Sequence, residues 1–596
     1  MASDFTPEQK RYLEGLVAGL NALAQANGLA PALGQAEPGG PDAEHLKAMS
    51  RFEAEGKKLS DAEKWKRELH PFDAYEKLKQ QAAANSPPKP PDNFRWRFYG
   101  LFHVAPAQDS YMCRLRMPNG ILKAHQFAGV ADLAERYGGG YAHVTTRANL
   151  QVREIEPKNA VTMIEAIQDL GLCSRGSGAD NIRNVTGDAT AGISRQELLD
   201  TRSYAREWHF HILNDRSLYG LPRKFNVGFD GGGEIPTLED TNDIGFQAVE
   251  VVEGASFGGE PIISGVWFRL LLGGITGHGD LARDTRAIVR PEDATKVADA
   301  VVRVFIREGD RTDRAKARLK YVLDRYAAET GSLDKFVEAV EAVLGKKLTR
   351  IDPAHLKPRP PRDRLAHAGV HPQKQEGLSY IGVVLPVGKM TAPQMRELAA
   401  IARDLGDGDL RLTVWQNLLI SGIPNQKVEE AKARIAAAGF GWRATHIRAG
   451  LVACTGNTGC KLANSNTKDT AERIAAYVES KLDIDLPINI HLTGCPNSCA
   501  QHYIGDIGLV GCRVPINDEG DTVEGFHIVA GGGYAENAAI GKEIFQNVKT
   551  EDCPAAVEWI LRAYLKNRAR RDESFQAFAS RHSAAALKQL IEAVTQ

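Results

Sequence analysis

One pattern occurs twice in this chain, and that duplication restricts its possible folds more than any other feature. RMPNGILKAHQFAGVADLAERYGGGYAHVTTRANLQVREI aligns with VLPVGKMTAPQMRELAAIARDLGDGDLRLTVWQNLLISGI, Pro118 meeting Pro386 at an offset of 268 and Thr146 meeting Thr413 at 267. Each copy reads as a strand, a proline–glycine turn, an amphipathic helix and a second strand of alternating or apolar residues. Another helix pattern follows each, VTMIEAIQDLGL or VEEAKARIAAAGF, with a terminal glycine of the kind that ends helices. The order is therefore β-α-β-α twice. Each copy then leads into a polar, glycine-containing segment, GSGADNIRNVTGD or GLVACTGNTGC. Two related halves of this kind leave a cleft between them.

The second segment opens a four-cysteine set. Cys454 and Cys460 have five residues between them, Cys495 and Cys499 have three, and 34 residues separate the pairs. Four thiolates suit a cubane iron–sulfur cluster. Gly456, Gly459 and Gly494 let the backbone approach a bulky inorganic core, and Pro496 stiffens the turn after a ligand. Structural zinc is the competing use, although it favours shorter knuckles on both sides. A disulfide pair fits poorly in a chain whose start, MASDFTPEQKRYLEGL, lacks the basic-then-apolar order of an export signal. Cys113, Cys173, Cys512 and Cys553 lie scattered and read as buried thiols.

Composition excludes other classes. With 74 Lys+Arg against 75 Asp+Glu, the charge is balanced, which argues against nucleic acid as a main partner. No stretch approaches the roughly 20 apolar residues of a membrane span. A reducing, cytoplasmic compartment and a monomer are the expectations. Proline-rich stretches at 85–93 and 355–373 mark boundaries, and EPGGPD (37–42) reads as a flexible break. In the N-terminal arm Ser60 and Glu63 form a capping-box pattern, while Phe94, Trp96 and Phe98 alternating with Arg95 and Arg97 suit a strand. The arm itself is expected to pack across the two halves. Neither VGFDGGGEIP nor FHIVAGGGYAENA has the glycine order of a dinucleotide site. The latter reads as a tight corner near a cofactor, and the electrons for any redox chemistry must come from another protein.

The C-x5-C and C-x3-C pair resembles the siroheme- and [4Fe–4S]-dependent nitrite and sulfite reductases, over about residues 90 to 580. The resemblance implies Cys454, Cys460, Cys495 and Cys499 as cluster ligands, with Cys499 also bound to siroheme iron. It implies an α+β (α/β mixed) fold whose duplicated half-repeats form a pseudo-symmetric, multi-domain reductase with the cofactor cleft between them. The expected division is an N-terminal helical arm (1–92), a first ferredoxin-like half-repeat (93–160) and a first siroheme- and substrate-binding domain (161–354). A linker (355–375), a second half-repeat (376–427) and a cluster- and siroheme-binding domain with C-terminal helices (428–596) complete it.

Basic residues carry the rest. Siroheme has eight carboxylates and the family's substrates are small oxyanions, so such a site must gather hydrogen-bonding cations. Arg114 and Arg116 lie two apart on one strand; Arg147, Asn149, Gln151 and Arg153 continue at period two. By resemblance Arg114, Arg183, Lys224 and Asn226 form the oxyanion pocket, and Arg147 and Gln151 hold siroheme carboxylates. Asn149, Arg153, Arg223, Gln416 and Asn417 are further siroheme candidates. Ferredoxin is the implied donor, for which LKNRARR (565–571) offers one basic docking segment or merely a solvated helix end. Sulfite-reducing relatives carry K-x-K where this chain has Lys224-x-Asn226, so nitrite is the expected substrate and ammonium the product. Ferredoxin-dependent sulfite reduction, a siroheme-free iron–sulfur electron carrier and a corrin-pathway enzyme are the alternatives.

Overall fold

The computed structural model describes residues 40–443 and 445–595. The chain start and the first half of the EPGGPD break lie outside the described residues. The arm is helical: Ala43–Ala54, Asp61–Glu68, Tyr75–Ala83 and Pro90–Trp96. The expected strand at 94–98 is instead the end of the last helix and a short 3-10 turn, Arg97–Tyr99. Pro90 at the first helical position sets this start, and Phe94 and Phe98, four apart, then share a helical face rather than alternate. The expected capping box is absent as well. Glu63 is drawn into a fully buried ion network, taking Lys66 Nζ at 2.5 Å and Arg311 Nη1 at 2.6 Å, and Ser60 Oγ has no partner among the described residues. The described part of the arm packs on the first half through Ala62, Phe94 and Phe98, while Leu78 and Trp96 join the core to which both half-repeats contribute.

The repeat folds as a pair of modules that exchange strands. The first contains β1 (Leu101–Val104), β2 (Ser110–Arg114), β3 (Ile121–Lys123), α1 (Ala124–Tyr137), β4 (Tyr141–Val144), β5 (Leu150–Ile155) and α2 (Ala160–Asp169). The second repeats this as β6 (Gly369–Pro372), β7 (Leu378–Val383), β8 (Lys389–Thr391), α3 (Ala392–Leu405), β9 (Asp409–Leu412), β10 (Leu418–Pro424) and α4 (Val428–Ala437). The single second strand read from each copy is thus a hairpin. Its turns, 145–149 and 413–417, correspond at an offset of 268, so Thr145 rather than Thr146 is the counterpart of Thr413: in both turns the threonine N–H donates to the asparagine carbonyl at 2.9 Å. The sheet orders are β1-β2-β5-β4-β8 and β6-β7-β10-β9-β3. Each module therefore completes its sheet with a three-residue strand from the other, Lys389 opposite His143 and Lys123 opposite Asp409.

The close approach explains the turns that deliver these strands. Gly120 has φ +69°, and a Cβ there would lie 2.7 Å from Ala148 Cβ and 2.8 Å from Leu412 O of the other module. Gly388, at φ +76°, would meet Val144 O at 2.6 Å. Only glycine satisfies both demands. A shared core, from Phe127 and Val152 through Leu398 and Ile420, then welds the modules together. Met163, Ile164 and Ile167 of α2 belong to it too, so this helix packs with the half-repeat.

Two further sheets share one plan. The first runs, in space, Thr186–Gly187, Val227–Asp230, Ile244–Val251, Gly265–Leu272, Arg283–Val289 and Thr349–Arg350. The second runs Leu451–Ala453, Ile490–Thr493, Ile507–Pro515, Thr522–Ala530 and Lys542–Lys549. In both the first three strands are parallel and the rest antiparallel. The duplication therefore extends beyond the segment in which it is visible as sequence. The linker is a strap rather than a loose tether. Arg359 and Arg362 bond Asp230 in the first half, and Arg364 bonds Asp506 in the second. Under the strap lies a buried group of carboxyls, Asp188, Asp230, Glu239 and Asp240.

No helix among the described residues is long and apolar enough to cross a membrane. LKNRARR straddles the end of the helix Cys553–Asn567, and beyond it Arg568 and Arg571 both pair with Asp485, which cancels part of its basic charge.

Candidate active site at the four-cysteine cavity

A cavity of about 1160 Å³ opens where the first half meets the last domain, walled by the arm as well. All four predicted cysteines line it. Their loops leave parallel strand ends: Cys454 follows Leu451–Ala453, and Cys495 follows Ile490–Thr493. Cys454 Sγ accepts the N–H groups of Gly456 at 3.4 Å and Gly494 at 3.2 Å, while Cys495 Sγ accepts from Asn497 Nδ2 at 3.4 Å. Burial, then the neighbouring Cys499, pushes the Cys454 thiol up to about 11. Cys499 is exposed to the cavity, and its carbonyl accepts from Thr146 Oγ1 at 2.8 Å, tying the last domain to the hairpin turn of the first module. Cys113, Cys173, Cys512 and Cys553 do not line the cavity.

Facing these thiols are the predicted cations. Arg114 at the end of β2, Arg147 in the hairpin turn, Arg183, Arg223 and Lys224 all line the cavity, as do Gln151 and Asn226. Lys224 and Asn226 flank Phe225, which is fully buried, so the period-two reading of this segment holds. Lys224 makes no hydrogen bond or ion pair among the described residues, and burial, reinforced by the charge of Arg318, lowers its ammonium to about 7. The amide of Asn226 is free among them too; only its backbone is used, the N–H donating to Asp243 Oδ2 at 2.8 Å. Arg183 is anchored at its tips on the carbonyls of Ser177 (2.5 Å) and Ala179 (2.7 Å). Arg147 is anchored on Asn242 Oδ1 (3.0 Å) and the Asn184 carbonyl (2.8 Å). Burial lowers Arg114 to about 10 and Arg147 to about 9, and holds Arg183 well below the usual guanidinium value.

Other expectations change. Arg116 leaves the face of Arg114, because β2 ends between them and its guanidinium is buried on the Ile182 carbonyl at 2.6 Å. Asn149 spends its amide on Leu115 O and the Leu150 N–H. Gln416 cross-braces the halves, bonding Val144 O, Ala453 O and the Ala453 N–H at 3.1, 3.0 and 2.9 Å. Asn417 does not line the cavity; it bonds the Leu385 N–H, His367 and the Ala449 carbonyl. These three amides are therefore braces rather than free siroheme contacts. Arg153 lines the cavity too, but its guanidinium is spent on the loop between Cys454 and Cys460. The Gly531–Gly533 corner is tight, a Cβ on Gly532 lying 2.4 Å from Gly505 O, but it does not line the cavity.

Sequence reasoning missed Arg97, Arg318 and Lys468, all cavity-lining. Arg318 is clamped by Asp243 at 3.2 and 2.7 Å. Arg97 has a buried Nε without a partner among the described residues. Its alternation with aromatic residues read as a strand, whereas it opens the 3-10 turn Arg97–Tyr99 that Gly100 ends at φ +86°. In the second module the counterpart of Arg147 is Trp415, buried and stacked on His367 at 5.7 Å and packed against Tyr534 at 4.7 Å. The pseudo-symmetric copy of the cavity is filled by these rings.

The arrangement fits an anionic cofactor beside a metal–sulfur cluster. Buried Nε atoms of Arg97, Arg114, Arg147, Arg153 and Arg183 have no partner among the described residues, an expensive arrangement unless an anion is received there. Four thiols line this one cavity, Cys454 and Cys495 already receiving N–H donors at sulfur, which suits a cluster of four irons.

Known proteins agree with this geometry. The family model described as the nitrite and sulphite reductase 4Fe-4S domain matches residues 178–348 and 447–595, and that of the nitrite/sulfite reductase ferredoxin-like half domain matches 103–170 and 371–438. A ferredoxin–nitrite reductase of Synechococcus elongatus is 32% identical over 523 residues, 86% of this chain and 98% of that protein. The chloroplastic ferredoxin–nitrite reductase of Oryza sativa is 33% identical over 78% of this chain and 77% of its own. Among solved structures, the Mycobacterium tuberculosis NirA protein superposes with a TM-score of 0.80 at 26% identity, over 89% of this chain and 97% of that one. With its paired half domains, its cysteine loops and its basic cavity, the chain belongs to the nitrite and sulphite reductase family.

Proposed function

We propose that this protein reduces nitrite to ammonium with electrons from reduced ferredoxin, using siroheme coupled to one [4Fe–4S] cluster. The observation that carries the reading is the set of three cations and one free amide, Arg114, Arg183, Lys224 and Asn226, lining a single cavity with Cys499. The names of the Synechococcus and Oryza relatives support both substrate and donor. Cys454, Cys460, Cys495 and Cys499 would hold the cluster, Cys499 would also hold the siroheme iron, and Arg147, Gln151 and Arg223 would take siroheme carboxylates. When bound, these groups supply the substrate-binding iron and the electron store.

The protein's own residues do the rest. Arg114 and Arg183 keep their charge at working pH and hold the anion through successive charge changes. Nitrite takes up six electrons and eight protons, so a proton source at the substrate is essential. Lys224, lowered to about 7, is poised to give one and regain it. Asn226 offers an amide donor to a nitrite oxygen without adding charge. Sulfite, nearer a dianion at neutral pH, would reward a second ammonium there. The reading includes a monomer in a reducing cytoplasm; large exposed apolar side chains among the described residues are few, Phe210, Ile263 and Trp559 among them.

The test is a ratio. Initial rates with reduced ferredoxin and either nitrite or sulfite are compared for wild type and Asn226→Lys, after the visible spectrum has established siroheme. Wild type favours nitrite, and the lysine moves preference toward sulfite. A wild type faster on sulfite overturns the substrate.

A further inference from the structure

Arg153 and Lys468 take no part in holding or protonating the substrate, and a role for them rests on the reading that the four cysteines hold a cluster. Arg153, on β5, is only 3% exposed. Its guanidinium crosses to the loop between Cys454 and Cys460, donating to Gly459 O at 3.0 Å and Thr455 Oγ1 at 2.7 Å, and is steadied by Gln151 Oε1 at 2.9 Å. Lys468 begins the helix Lys468–Lys481 and approaches the same loop from the second half. Its ammonium donates to the carbonyls of Val387 and, at 3.4 Å, Ala453, the residue before Cys454. It is 4% exposed. Neither cation has an ion-pair partner among the described residues.

Two buried cations with no carboxylate bonded to them are costly unless other negative charge faces them. Here the nearby thiol groups can supply that charge. Burial lowers both cations; Tyr141, then Cys460, Cys454 and Glu154 oppose this at Arg153, and Cys454, then Glu472, at Lys468. Arg114 and Lys224, in contrast, feel Cys499 most among the cysteines. The cations thus divide into two sets: one facing Cys499, the other bonded to backbone around the first cysteine loop.

We infer that Arg153 and Lys468 are the fixed counter-charges of the cluster and raise its reduction potential. The step concerned is one electron leaving the reduced carrier and entering the cluster. No bond is made or broken and no proton moves, so the cluster gains one negative charge. Nearby fixed positive charge stabilises the reduced form more than the oxidised one, and net charge and hydrogen bonding are established levers on such potentials. Both residues are positioning residues, since neither touches substrate.

The experiment uses full-length protein purified without oxygen. Iron and acid-labile sulfide assays first establish cluster content, and the midpoint potential is then read by paramagnetic resonance during a redox titration on the acid side of neutrality, where lysine is charged. Arg153→Gln and Lys468→Met each retain the cluster and titrate at more negative potential; the double variant lies lower still. Arg153→Lys stays near wild type because it keeps the charge. Lys468→Gln replaces Lys468→Met if the methionine variant assembles no cluster. Cluster-loaded neutral variants titrating at the wild-type potential overturn the inference. A wild type lacking stoichiometric iron and sulfide overturns the cluster reading instead.

Discussion

Lys224 is the cation on the open side of the cavity with a proton it can release near neutral pH. Its folded value of about 7, set by burial and then by Arg318, leaves the ammonium charged below that pH and neutral above it. Turnover should therefore fall as pH rises through about 7 and beyond. Lys224→Arg should hold the anion yet flatten that alkaline limb, because a guanidinium keeps its proton. Lys224→Ala should lower turnover about a hundredfold, the usual scale for removing one charge-assisted contact. The measurement is kcat against pH for the three proteins with nitrite; an unchanged alkaline limb in Lys224→Arg removes Lys224 as the acid. At this scale the sequence is legible where spacing is local. Cys454 to Cys460, Cys495 to Cys499 and Lys224-x-Asn226 each place their members on one loop or face. Arg153 and Lys468 are not legible, since the loop Arg153 holds lies about 300 residues away and Lys468 is fixed by carbonyls, which carry no sequence signature. Asn149, Gln416 and Asn417 mislead for the same reason: a side-chain amide serves a backbone group as readily as a ligand.

Elements show a different balance. Amphipathic α1 and α3 and the helices after them are readable from periodicity, because each buries one face in the shared core. β3 and β8, three residues each, are not, since their stability comes wholly from pairing with the opposite module. That pairing yields a prediction. Residues 40–360 and 361–596 produced separately should each be poorly folded, exposing an incomplete sheet and half a core. Co-expressed, they should associate and recover helical circular dichroism and cooperative unfolding. Independent, cooperative unfolding of either piece alone would show that the exchange is dispensable.

Across the whole molecule the strap at 355–373 joins the halves through charge. Its Arg359 and Arg362 meet Asp230, whose carboxyl those guanidiniums hold ionised against burial, while burial and the charge of Asp230 push Asp188 to about 7 and Glu239 to about 8. Unfolded, these carboxyls ionise near about 4. Between about pH 4 and 8 the folded chain thus binds more protons than the unfolded one, so stability declines as pH rises through that window. Asp230, depressed, is ionised in both states over most of that range and adds little slope. The thermal midpoint should fall between about pH 6 and 8.5, and Glu239→Gln should flatten the decline, as followed by calorimetry. A midpoint that rises over this range contradicts the assignment of protons to the buried group.

The exchange of β3 and β8 also bears on how such a molecule can change over generations. Once each copy needed a strand from its twin, neither could be deleted, and a lesion in one became a lesion in both. Individual side chains could still diverge. In the turn at 413–417 Gln416 stays bonded to Val144 O of the other module, whereas Trp415 packs against His367 and Tyr534 at the position where Arg147 of the other turn lines the cavity. The idle copy persists because it is structural ballast for the working one, and its rings record a division of labour that unlinked duplicates would have resolved by loss.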